Sequence, residues 1–110
     1  MLNGKNLITL IKPDNFGEEI LEEKKPILLL CMLQTNEIRE QIDVIEGISK
    51  MYGEKLKIGL IDAEFIEAFK QKFRIKGTPT FLLFVNGKEK SRMLGKGDQQ
   101  TLKEFLSREL

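Results

Sequence analysis

The strongest nucleophile in this chain is its single cysteine, Cys31. A thiol attacks only as a thiolate, so it needs access to solvent and something to stabilise the charge. Cys31 sits instead inside ILLLCML, residues 27–33, with leucines on both sides. Burial there raises its pKa and blocks attack. An inert core thiol is therefore expected, with monothiol catalysis through Cys31 as the alternative reading. The chain has no histidine, which removes the usual general base near neutral pH and the commonest metal ligand. With no second cysteine there is neither an internal disulfide nor a thiolate-type metal site. No cofactor and no metal are expected.

Other residues have chemical types worth weighing. Asp62 and Glu64 follow an apolar run, and parallel sheets often place working residues at strand ends. Two carboxylates alone, with no third group and no sign of a deep pocket, make weak acid/base machinery. Acid/base work by this pair is not expected. LGKGD, residues 94–98, has glycines but lacks the spacing and the Lys-Ser/Thr ending of a phosphate loop. It reads as a hairpin exit and a helix cap. Asn36 is a good helix cap and Glu37 suits a first helical turn. Arg39 opposes the helix dipole there and shares a face with Asn36 three residues earlier. These residues form either a solvated helix end or a polar contact for a partner.

The elements that position these residues are legible from periodicity. Residues 7–11 form a short strand ended by Pro13. A first helix is predicted over 14–23, with Asp14 as cap and Phe16, Ile20 and Leu21 at helical spacing. ILLLCM, bounded by Pro26, is apolar at every position, as a strand buried on both faces must be. A long helix follows over 36–52, carrying Ile38, Ile42, Ile45, Ile48 and Tyr52, with Gly53 as its stop. Residues 56–61 read as another buried strand. Phe65, Ile66, Phe69 and Phe73 mark a shorter helix. TPTFLLFV then runs through Asn86-Gly87, the preferred pair for a tight hairpin, into a return strand over 89–94. Asp98 caps a last helix with Leu102, Phe105 and Leu106 on its core face. The order is β-α-β-α-β-α-β-β-α, an α/β fold with a partly parallel sheet covered on both faces and a final antiparallel hairpin.

Bulk composition fits this. The 110 residues suit one domain over 1–110, long enough to bury a core without staples. Eighteen basic and seventeen acidic residues leave a formal charge of +1, so no long-range field draws in nucleic acid. The phenylalanines follow core spacing rather than a nucleic-acid-binding pattern. No apolar run is long enough for a membrane helix and no signal-peptide pattern precedes the domain. A cytoplasmic monomer is expected.

Four blocks carry a family resemblance: KPILLL at 25–30, ISKMYGEKLKIGLIDAE at 48–64, FRIKGTPTFLLFVNGKE at 73–89 and LGKGDQQTLKEFL at 94–106. In order and spacing they resemble thioredoxin over about residues 7–108. The resemblance implies a three-layer α/β/α thioredoxin-like sandwich with strand order 1-3-2-4-5 and a cis Thr78-Pro79 bond beside the family's redox loop. It also shows a departure. The family's two cysteines fall on Asn36 and Arg39, the preceding tryptophan on Thr35, the intervening glycine and proline on Glu37 and Ile38, and the buried acid on Leu30. Dithiol–disulfide exchange needs one cysteine to attack and another to resolve, so it is not expected here.

The implied role is a redox-inactive module that binds a protein or peptide partner through a groove near the cis-proline loop. Its candidate residues are Thr35, Asn36, Arg39, Gly77, Thr78 and Pro79. The rivals are the monothiol oxidoreductase acting through Cys31 and a structural domain whose binding surface lies elsewhere.

Overall fold

The run ILLLCM forms the centre of the molecule because it has partners on every side. The computed structural model describes residues 8–110. In it, β2 (Ile27–Cys31) lies third in a five-stranded sheet. The other strands are β1 (Thr9–Ile11), β3 (Lys57–Ile61), β4 (Thr80–Val85) and β5 (Lys88–Leu94). The spatial order is β1-β3-β2-β4-β5. β1, β3 and β2 are parallel, while β4 and β5 are each antiparallel to the preceding neighbour in that order.

Alternation along β2 divides the core into two layers. Ile27, Leu29 and Cys31 join Phe16, Ile20, Ile66, Phe69, Leu82 and Phe84 on one face. Leu28, Leu30 and Met32 join Ile45, Ile48, Phe81, Leu83, Leu102 and Phe105 on the other. The first layer lies under α2 (Ile66–Lys72), the second under α1 (Ile38–Tyr52) and α3 (Gln99–Glu109). Full burial of one such aliphatic side chain contributes about 1.5–3 kcal/mol. The helix-covered, mixed-sheet architecture is the one expected from the sequence.

Several local details differ from the sequence expectation. Strand 7–11 is seen as Thr9–Ile11, and Leu7 lies outside the described residues. The helix expected over 14–23 is a single π-helical turn, Gly17–Leu21, in which the Glu22 N–H donates to the Gly17 carbonyl at 2.9 Å. Asp14 does not cap it. Asn15 organises the approach instead: its Oδ1 accepts from the Lys12 N–H at 2.8 Å and its Nδ2 donates to the Leu10 carbonyl at 3.0 Å. Tertiary contacts hold this turn in place. The Phe16 ring centroid lies 5.5 Å from that of Phe69 and 6.1 Å from that of Phe84, both edge-on. Lys57 Nζ, on β3, reaches back to Glu19 Oε1 at 2.6 Å and Glu23 Oε1 at 3.2 Å.

The hairpin turns at Asn86-Gly87, both at positive φ, +53° and +78°. Glycine is required at the second position twice over. A Cβ there would meet the Leu21 carbonyl oxygen at 2.6 Å, so the hairpin tip lies directly against the π-helical turn.

Candidate functional site

β2 and β4 run antiparallel with Cys31 opposite Thr80, and Thr80 is in turn opposite Leu94 of β5. That register brings the end of β2, the start of β4 and the end of β5 to one end of the sheet. Thr35, Asn36 and Arg39 come from the segment leaving β2 and the first turn of α1. Gly77, Thr78 and Pro79 come from the segment entering β4. All six sequence candidates thus share one end of the molecule.

The segment between β5 and α3 braces the two groups. The Gly95 N–H donates to the Pro79 carbonyl at 2.8 Å. Lys96 Nζ pairs with Glu37 Oε2 at 2.8 Å, an exposed contact worth little. Gly97 is the firm point: its N–H donates to Gln41 Oε1 at 3.0 Å and its carbonyl accepts from Gln41 Nε2 at 3.1 Å. Asp98 then caps α3 by accepting from the Thr101 N–H at 2.8 Å. The LGKGD motif is therefore a clip between α1 and the proline loop, as well as a helix cap.

Each candidate has a distinct setting. The Thr35 Oγ1 accepts from the Glu37 N–H at 3.2 Å, so Thr35 rather than Asn36 organises the entry to α1. Asn36 and Arg39 are exposed. The Gly77 carbonyl accepts from Thr80 Oγ1 at 2.6 Å. The Thr78–Pro79 peptide bond is cis. Pro79 is buried and Thr78 half-buried. Among the described residues the Thr78 backbone N–H and carbonyl have no hydrogen-bond partner.

Cys31 is in the core layer beneath α2 and is 0% exposed. Burial pushes its thiol up to about 11; Lys70 opposes that rise and Glu67 adds to it. At neutral pH only about one such thiol in ten thousand is ionised, against a few per cent of an ordinary cysteine. Asp62 and Glu64 make no acid/base pair: Asp62 Oδ1 accepts from the Glu64 N–H at 2.9 Å and caps the turn into α2. The end of the sheet can therefore offer backbone hydrogen bonds and polar side chains, but no activated sulfur.

Comparison with known proteins agrees with this architecture. A sequence model of the thioredoxin family, described as Thioredoxin, matches residues 7–108. The chain belongs to the thioredoxin family. It is 30% identical over 102 residues to the thioredoxin of Buchnera aphidicola subsp. Acyrthosiphon pisum, covering 92% of this chain and 94% of that one. It is 29% identical over 105 residues to Protein disulfide-isomerase 5-1 of Arabidopsis thaliana, covering 93% and 72%. It is 28% identical over 94 residues to the thioredoxin of Rickettsia bellii, covering 84% and 90%.

Within the thioredoxin family this is a domain with one cysteine, and that cysteine lies in the central strand. It lacks the Cys-x-x-Cys pair. Sequence reasoning missed Gln41, because a glutamine on a helix reads as solvated. The available signal was its place in the stripe: 38, 41, 45, 48 and 52 step by three or four, and Gln41 and its apolar neighbours at 45 and 48 are buried. Ile42, assigned to the core stripe from sequence, is only half-buried.

Proposed function

We propose that this thioredoxin-family protein is a redox-inactive binding module, a cytoplasmic monomer that takes an extended segment of a protein partner at the end of the sheet bearing Thr78–Pro79. The observation that carries this reading is the half-buried Thr78, whose backbone N–H and carbonyl are unpaired among the described residues. A backbone in that state can accept an extended chain as a partial added strand. Asn36 and Arg39, at the start of α1, are exposed polar residues at the same end of the sheet. The thiol that would be needed for sulfur chemistry is sealed in the core. A single cysteine with no disulfide suits a reducing compartment.

The test is a titration of the isotope-labelled protein with a pool of unstructured decapeptides, read at the backbone amides. Shifts are expected at Asn36, Arg39 and Thr78, and Arg39→Glu and Thr78→Ala should each weaken them. Unchanged binding in both variants assigns binding to another face and favours the structural-domain reading.

A further inference from the structure

Beside the proline loop lies a second surface. α2 ends at Lys72, ahead of the segment that enters β4. Leu94, on the edge strand β5, is 66% exposed there. Its side chain lies over Gly77, where a Cβ would stand 3.7 Å from Leu94 Cδ1. Arg74, Lys76, Arg92, Thr80 and Leu94 enclose a shallow cavity of about 160 Å³.

The charges of this patch are unequal in availability. Arg92 is committed to its own strand and loop. Its Nε and a terminal nitrogen hold the two oxygens of Glu89 at 2.5 and 2.7 Å. The same guanidinium donates to the carbonyls of Phe73 at 2.9 Å and Arg74 at 3.3 Å. Arg74 and Lys76 are exposed, and among the described residues neither cation has a carboxylate partner.

Arg74 is also held in an unusual place. Its φ is +53°, and it closes α2 in the manner usually given to glycine: the Arg74 N–H donates to Gln71 at 3.3 Å and the Ile75 N–H to Lys70 at 2.8 Å. A side chain in this left-handed conformation costs the fold something that glycine would not. The Arg92 clamp on the Phe73 and Arg74 carbonyls fixes the loop in that geometry, with the Arg74 side chain at the cavity.

We propose that this patch selects an acidic partner segment carrying an apolar side chain, with carboxylates meeting Arg74 and Lys76 and the apolar group covering Leu94. It rests on the reading that an extended segment docks at Thr78, two residues from Lys76, and it names the chemistry of that segment. Two unpaired cations around an exposed leucine complement an acidic, leucine-bearing peptide and repel a basic one.

Two decapeptides test it, one with glutamates flanking a central leucine and one with glutamines in their place. Amide shifts of the labelled protein report both site and affinity. The acidic peptide should bind about five-fold more tightly at low salt, as two partly exposed charge contacts allow. That preference should vanish in the Arg74→Gly/Lys76→Gln double variant. The glycine removes the left-handed strain, so folding is not at risk. Leu94→Ser should weaken both peptides. Equal affinities for the two peptides, a preference that survives the double variant, or no binding of either overturns the proposal. Shifts at Asn36 and Thr78 without a charge preference leave the groove reading standing and the acidic selection refuted. A charge preference with shifts at Arg74, Lys76 and Leu94 but none at Thr78 does the reverse.

Discussion

Gln41 holds Gly97 by both of its backbone groups, 56 residues away in the chain, with the side-chain amide acting as donor and acceptor at once. Gln41 is 1% exposed and Gly97 is buried. Removing one partner of a buried hydrogen-bonded pair costs more than the pair's net contribution, because the other is left unsatisfied. Gln41→Ala should therefore destabilise the protein by about 2–4 kcal/mol in urea denaturation. A loss below about 0.5 kcal/mol would show that water replaces the amide without penalty.

Gly87→Ala should be similarly costly for a different reason. Alanine is disfavoured at a φ of +78° by roughly 1–2 kcal/mol. Its methyl group would also stand 2.6 Å from the Leu21 carbonyl oxygen, a backbone atom with little room to move. The melting temperature should fall by roughly 10 °C. An unchanged midpoint would mean that the hairpin tip does not rest on the π-helical turn.

Stability should also depend on the Cys31 proton. An unfolded cysteine ionises near pH 8.5, whereas burial holds the folded thiol neutral to about 11. The folded state's advantage is intact below about pH 8.5 and is lost as pH rises toward 11. The difference between wild type and Cys31→Ala isolates the contribution of the thiol. Wild type should lose more stability between pH 8 and pH 10.5 than the variant. Parallel curves would mean that the thiol ionises as readily in the folded state as in the unfolded one.

Much of the fold was legible because burial on two faces leaves a strong mark. ILLLCM could not alternate with polar residues, since Leu29 and Leu30 point into different core layers. Asn86-Gly87 announced its turn because few other pairs tolerate two positive φ angles. The segment over 14–23 was harder. Its apolar residues fit an α-helix, yet its shape comes from Phe16 packing on Phe69 and from Lys57 gripping Glu19 and Glu23. Contacts of that range leave no local pattern. The candidate site divides in the same way. Thr78-Pro79 is a dipeptide visible in the sequence, whereas the clip through Gly95, Gly97 and Gln41 exists only once α1 meets the β5–α3 segment. Arg74 likewise looks like an ordinary surface arginine until its φ is known.

The most direct test of the central claim, a thioredoxin-family domain without sulfur chemistry, is insulin reduction in the presence of a thiol donor. The reaction needs an accessible thiolate and a resolving partner. Cys31 is 0% exposed with its thiol pushed up to about 11, and it is the chain's single cysteine. The predicted rate is that of the donor alone, the same for wild type and Cys31→Ser. Turnover above that background that disappears in Cys31→Ser would contradict the account and make Cys31 a working nucleophile.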